Sequence, residues 1–250
     1  MRTVTATRYV TPLREGGSLP GLVEADDDGL YVLKFRGAGQ GAKALVAEVI
    51  AGELARAIGL PVPELVLVEL DPALGRAEPD PEIQELIEGS AGLNVGIDFL
   101  PGALPFDAQA DLGADLAADV VWFDALVTNV DRTPRNPNLL CWHRRLWLID
   151  HGAALYLHHQ DGDFAAQARR PFPLIAEHVL LPFAGPIGAA DERLAACAGD
   201  AATLDGVVDA VPAQWLDRDG ARAAYAEYLR RRLAPPREFV EEAERARARA

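Results

Sequence analysis

Between Asn129 and Ala153 the chain reads NVDRTPRNPNLLCWHRRLWLIDHGA, and no other run restricts the fold as tightly. Two short apolar, β-prone stretches, Asn138 to Trp142 and Leu146 to Asp150, flank a polar tip of His143, Arg144 and Arg145. That pattern predicts a β-hairpin. Symmetric closure about Arg144 would pair Asn138 with Asp150 and carry Asp150 back beside the loop from Asp131 to Asn136. A carboxylate, an amide and a second carboxylate then gather at one open end. Magnesium takes few protein carboxylates and fills its shell with water and phosphate oxygens, so this donor set suffices for a magnesium and phosphate site.

The surrounding sequence changes character near residue 100. Before it, Tyr31 to Phe35, Leu65 to Leu70 and Asn94 to Leu100 read as strands, with Ala42 to Ile58 a helix between the first two. Pro101-Gly102 breaks the last of these strands. After it, Asp115 to Thr128 carries Leu116, Val120, Phe123 and Val127 at helical spacing. The stretch from Asp163 to Gly199 mixes short helices with turns, and Asp219 to Leu233 and Glu238 to Ala250 are charged amphipathic helices. The expectation is a two-lobed α+β protein with an N-lobe over 1–101, a hinge near Pro101 and a helical C-lobe over 102–250.

Composition removes several classes of function. A net charge of -14 on 250 residues disfavours nonspecific binding to nucleic acid or to an anionic membrane. The apolar runs are too short to span a bilayer, and Met1-Arg2-Thr3 opens no signal peptide. Cys141 and Cys197 are far apart and suggest neither a metal nor a disulfide framework, which fits a cytoplasmic protein. His158-His159 and His178 lack metal-ligand spacing and read as surface or core histidines, and Trp122, Trp142 and Trp147 as core around the hairpin.

Asp131 and Asn136 stand five positions apart, and Asp150 follows Asp131 by 19. The order and spacing approximate a phosphotransfer arrangement in which one Asp orients the attacking hydroxyl while an Asn and a second Asp hold Mg²⁺. The bland alternative is a Pro/Asn/Asp turn in which Asp131 caps backbone amides. Lys34 interrupts an apolar strand on the face of Leu30 and Val32. It is either an edge-strand charge or a cation aimed into a cleft to hold phosphates. Glu48 shares a helix face with Ala44, Ala51, Gly52 and Ala55, whereas Glu53 can pair with Arg56 at the surface. Glu48 is therefore the expected partner of Lys34.

Two glycine-rich segments compete for phosphate. Gly16, Gly17, Ser18 and Gly21 form a hairpin tip that could fold over a triphosphate, although the run departs from the usual kinase glycine loop. Gly37-Ala38-Gly39-Gln40-Gly41-Ala42 fits a relaxed dinucleotide fingerprint, with Glu69 or Asp71 at the end of the next strand. That rival needs a continuing strand–helix alternation and leaves Asp131, Asn136 and Asp150 without a role.

The run DALVTNVDRTPRNPNLL followed by LWLIDHGAAL resembles the HipA-like kinase family and shares the D-R-x-x-x-N and I-D-x-G pattern of phosphatidylinositol kinases. YVLKF and AEVIAGELARAIGLPVPE are similar to the family's lysine strand and glutamate helix. The resemblance implies a protein-kinase-like fold and an ATP- and Mg²⁺-dependent transfer of phosphate to an alcohol, with a Ser/Thr of a protein as acceptor. By position it implies that Asp131 is the base, that Asn136 and Asp150 bind Mg²⁺, and that Lys34 contacts ATP phosphates braced by Glu48. Backbone near Gly92 to Leu100 would lie by the adenine, and Ser18 would be open to autophosphorylation. The sequence departs from the protein-kinase pattern at His151, which stands where a Phe is usual. It is also shorter than the full-length HipA toxins and is expected to lack their extra N-terminal subdomain, so the resemblance leaves a toxin role and an antitoxin partner open. A kinase for a small molecule or lipid headgroup, or a nucleotide-binding pseudokinase scaffold, are the alternative readings.

Overall fold

A computed structural model describes residues 1–13, 19–39, 41–108, 112–160, 162–217 and 220–250. The front of the chain is built on five strands: β1 (Thr3–Pro12), β2 (Gly21–Ala25), β3 (Leu30–Lys34), β4 (Leu65–Leu70) and β5 (Gly92–Asp98). They follow the order β1-β2-β3-β5-β4 and close into a barrel, because β1 pairs in parallel with β4. Within the barrel β3 is paired on both sides, with β2 and with β5, so Lys34 is not an edge charge; it lies opposite Val95.

Alternation along β3 decides where Lys34 points. Tyr31 and Leu33 face the barrel core with Val23, Val66 and Val68, whereas Val32 faces a second, larger core shared with the helices. Lys34 lies on the Val32 face and therefore emerges between the barrel and the helices. The chain then turns through Gly39 and Gly41, both at positive φ (50° and 67°), into α1 (Ala42–Ala57). Nearly every residue of α1 from Leu45 to Ala55 is buried, and a Cβ on Gly52 would strike Leu65 of β4. That is the close approach expected of a small-residue face.

This topology removes the dinucleotide reading. β3 and β4 are both antiparallel to β5 and so run parallel to each other, but β5 lies between them, so β3, α1 and β4 do not form the adjacent-strand βαβ unit that holds a dinucleotide. The glycines of that run serve the turn into α1. A second front helix, α2 (Pro81–Gly89), was not expected, although Asp80 caps its Glu82 amide, Pro81 opens it, and Ile83 and Ile87 anchor it.

The rest is mainly helical. α3 (Ala114–Val127) is buried on all sides from Val120 to Val127, apolar there except for Asp124. Around it lie α4 (Ile187–Ala198), α5 (Ala201–Asp209), α6 (Ala221–Leu233) and α7 (Glu238–Arg247). Trp122 belongs to this packing and not to the hairpin: its ring meets Phe239 and its Nε1 donates to Asp191 at 2.8 Å. The expected hairpin is β7 (Leu139–Trp142) with β8 (Arg145–Leu148), extended on one side by a two-residue strand, β6 (Leu104–Pro105).

The hairpin register differs from symmetric closure about Arg144. His143 and Arg144 alone form the turn, both at positive φ (48° and 63°), and Arg145 begins β8 opposite Trp142. Such two-residue turns match the twist of the strands they join. Asn138 therefore faces Ile149, whose amide donates to its carbonyl at 3.1 Å, and Asp150 lies one residue beyond the ladder. Among the described residues no helix is long and apolar enough to cross a membrane.

Candidate active site

Lys34 and Asp150 meet where β3 faces the end of β8. The ammonium Nζ is 2.7 Å from Asp150 Oδ2. Burial works against the charge on Lys34, but the fields of Glu48, Asp150 and Asp131 outweigh it and raise the Lys34 pKa. Lys34 is thus a permanent cation surrounded by three carboxylates. Asp150 itself takes a left-handed backbone (φ 54°), a conformation that costs a non-glycine residue free energy and that turns its side chain away from the ladder direction.

Glu48 is placed by α1 in the same space but makes a different contact from the one its position suggests. Its Oε1 accepts the backbone N–H of His151 at 3.0 Å and lies 3.4 Å from His151 Nδ1. Burial pushes the Glu48 pKa up; contacts from His151 and the charge of Lys34 override this and hold it well below the usual carboxylate range. The His151 ring is fully buried, edge-on to Phe123, with no hydrogen-bond partner for either nitrogen among the described residues.

Asp131 follows the end of α3 through a left-handed Thr128 (φ 51°). Its amide donates to Asn129 Oδ1 at 3.1 Å. Asp131 Oδ2 receives the side-chain amides of Asn136 at 2.7 Å and Asn138 at 3.2 Å. Both donors fall on the same oxygen, so Oδ1 carries no protein donor among the described residues. The spacing of five that suggested a joint role for Asp131 and Asn136 corresponds to a direct hydrogen bond between them.

Beneath this cleft lies a network that sequence reading did not single out. Asp124 of α3 is fully buried and receives Arg132 Nε at 2.5 Å, His178 Nε2 at 2.8 Å and Asn129 Nδ2 at 3.0 Å. Arg132 Nη1 also donates to the carbonyl of Asn138 and, at 3.4 Å, to that of Ile149, the two residues flanking the open end of the hairpin. His178 Nδ1 accepts the Leu180 amide, so its neutral ring bonds at both nitrogens. Burial lowers the His178 pKa and Asp124 only partly restores it. Burial would raise the Asp124 pKa, but Arg132 and His178 drive it far below the carboxylate range. The available signal was Asp124, the one acid within the apolar run from Val120 to Val127 of α3.

A sequence model of the HipA-like kinase family matches residues 7–235. The chain belongs to the HipA-like kinase family. No curated protein matches its sequence. Among solved structures, the Helicobacter pylori proinflammatory kinase CtkA superposes with a TM-score of 0.61 at 13% identity, covering 99% of both chains. The Golgi casein kinase, in a structure with Mn and ADP bound, gives 0.51 at 12% identity over 98% of this chain and 74% of that one. At such identities the likeness speaks for the fold: this HipA-like kinase has a kinase fold, with its strand-rich part first and its helical part second.

The donor set of the HipA-like kinase fits a divalent cation. Asp150 is about a third exposed and already holds a cation, the Lys34 ammonium, on Oδ2. Asn136 is exposed, and Asp131 is half-buried beside it. Hard oxygen donors in this number, open to water, suit magnesium or manganese. Among the described residues no three His, Cys, Asp or Glu side chains are grouped closely enough to hold a metal alone.

The phosphate-loop candidates divide. Gly16, Gly17 and Ser18 lie outside the described residues; among the described neighbours, the Leu13 amide bonds to the Pro20 carbonyl. Gly21 opens β2 opposite Leu33, and a Cβ there would run into the Tyr9 and Phe35 rings, so packing alone explains this glycine. Of the stretch expected near adenine, Val95 to Ile97 pairs with β3 on one side and β4 on the other, Gly92 to Asn94 pairs with β4 and Asp98 with β3, and the Phe99 amide bonds to Leu30.

Proposed function

We propose that this HipA-like kinase transfers the γ-phosphate of ATP, with Mg²⁺, to a Ser or Thr hydroxyl of a protein. The observation that carries the reading is the convergence on Lys34 of three carboxylates from three elements, Glu48, Asp150 and Asp131, with Asn136 bonded to the last. A fixed cation ringed by acids that a metal can share is what binding a triphosphate requires.

In this reading Lys34 leaves Asp150 for the phosphates, since a phosphate oxygen offers it the same charge-assisted bond. Asn136 and Asp150 are the ligands of Mg²⁺, which when bound neutralises charge developing on the phosphates. Asp131 accepts the proton of the attacking hydroxyl at Oδ1, while the Asn136 and Asn138 amides fix its other oxygen. A new bond forms between the hydroxyl oxygen and the γ-phosphorus, the γ-phosphorus–oxygen bond to ADP breaks, and the proton passes to the carboxylate. A cytoplasmic setting belongs to the same proposal and rests on two unpaired cysteines, Cys141 and Cys197.

Titration of the purified protein with Mg²⁺ and ATP in a thermal-shift assay tests the nucleotide site. The wild type is expected to be stabilised in proportion to ligand, and Asp150→Ala to lose most of that shift. Absence of any shift in the wild type would sink the proposal. A panel of protein, small-molecule and lipid-headgroup acceptors then separates a protein kinase from the alternatives, and no transfer to any of them would favour a scaffold.

A further inference from the structure

We infer that Glu48 is a positioning residue for Asp150, acting through the backbone of His151, and that it is not chiefly a brace for Lys34. The inference deepens the proposed phosphotransfer site and rests on that reading. Three observations carry it. Lys34 makes its direct ion pair with Asp150 at 2.7 Å, whereas among the described residues no ion pair joins it to Glu48. Glu48 Oε1 is occupied by the His151 N–H at 3.0 Å, and its Oε2 lies 3.5 Å from where a Cβ on Gly152 would stand. The carboxylate thus grips the peptide that immediately follows Asp150. Asp150 occupies a left-handed backbone conformation that a non-glycine residue keeps only when its surroundings hold it.

The element that holds it is identifiable. β8 ends at Leu148, and the Ile149 amide makes the last bond to the opposite strand. Beyond that point the ladder fixes nothing, and the next anchored amide is that of His151. Asp150 is therefore suspended between the end of a hairpin and a buried carboxylate on α1. Displacing Glu48 frees one side of that suspension and lets the Asp150 carboxylate drift from the metal position. A shift of α1 would move Asp150 with it, so the helix and the metal ligand act as one body.

The arrangement also gives His151 a reason to tolerate an unusual side chain. His151 meets Glu48 through its peptide N–H at 3.0 Å, which any residue but proline supplies, and more loosely through Nδ1 at 3.4 Å. The ring fills the space against Phe123, and neither of its nitrogens finds a hydrogen-bond partner among the described residues.

The test uses two variants on the full chain. Glu48→Gln keeps an oxygen that accepts the His151 N–H but removes the charge beside Lys34. Glu48→Met keeps the length and removes the acceptor. If Glu48 positions Asp150, the Mg²⁺ concentration giving half-maximal activity stays within about threefold of wild type in Glu48→Gln and rises at least about tenfold in Glu48→Met. The KM for ATP then changes less than the metal requirement in both. A tenfold rise in KM for ATP in Glu48→Gln with the metal requirement unchanged would overturn the inference, as would identical behaviour of the two variants. Hydrogen exchange at the His151 amide gives a readout free of catalysis: slow in the wild type and Glu48→Gln, fast in Glu48→Met. A fast-exchanging His151 amide in the wild type defeats the inference even if ATP is turned over. Slow exchange with no turnover would instead fault the proposed phosphotransfer.

Discussion

Two acidic centres lie on opposite sides of the same loop and do opposite work. On the cleft side, Asp131 and Asp150 are half open to solvent, and their partners are amides and one lysine that a ligand can displace. On the core side, Asp124 is sealed, and its three partners, Arg132, His178 and Asn129, leave it no room for another. The loop from Thr128 to Asn138 hangs between them, with Arg132 pointing in and Asp131 pointing out. The contrast teaches that carboxylates of one chemical type are left open to a ligand or tied into the core by which side of a loop they face. Exposure keeps a carboxylate exchangeable, while burial makes its pairing obligatory.

Substitution at each centre should break a different property. Asp131→Ala is expected to lower turnover by roughly 10²–10⁴-fold, the usual worth of a positioned base. Its unfolding free energy should change by only about 1 kcal/mol, because two amides lose one acceptor between them. Asp124→Ala reverses the pattern. It strands the Arg132 guanidinium in the core and should cost about 3–5 kcal/mol in a urea-unfolding experiment. Comparable losses of stability in the two variants would erase the distinction.

Acid sharpens the same comparison. Burial, aided by the neighbouring charge of His159 and Lys43, pulls the His158 pKa down to about 3, and burial lowers that of His178. Their unfolded forms take up protons near the ordinary value of 6.5 while the folded forms refuse them, so the unfolded state binds more protons below that pH. The His158 contribution is then complete above pH 6.5 and falls as pH drops toward 3, by up to about 1.4 kcal/mol per pH unit, and His178 adds a loss in the same direction below pH 6.5. Asp124 and Glu48, whose folded pKa values are depressed, add a further loss only below about pH 4. Thermal melts between pH 7.5 and 5 should show this slope, and replacing His158 by Phe should flatten it. A flat profile in the wild type would mean that His158 and His178 are not held neutral.

The smallest effect belongs to charges at neither centre. Arg231→Ala breaks an exposed pair with Glu227 on α6 and should alter stability by no more than about 0.5 kcal/mol. A larger loss would point to its second contact, the carbonyl of Ala165.

Much of the catalytic side was legible in the order of residues. Lys34 on the outward face of its strand, Glu48 on the small-residue face of α1, and the Asp131–Asn136 spacing follow from periods of 2 and 3.6 and from local turns. So did the helix of α3 to within one residue at each end. The hairpin was legible as a hairpin, but its register was not. A polar tip can close as two residues or three, and only the left-handed pair His143-Arg144 decides it.

What the sequence by itself determined is the set of reactive groups and the short elements that carry them, because side-chain period and turn chemistry act over a few residues. The tertiary structure decided which groups meet. Asp124 and His178 are 54 residues apart and join only because α3 and the segment before Leu180 are pressed together. Glu48 and His151 are 103 apart, and their contact turns an expected lysine partner into the anchor of Asp150. Such pairings depend on which buried charge finds the nearest donor once water is excluded. That competition is settled by distance in the folded core and leaves no period in the chain to read.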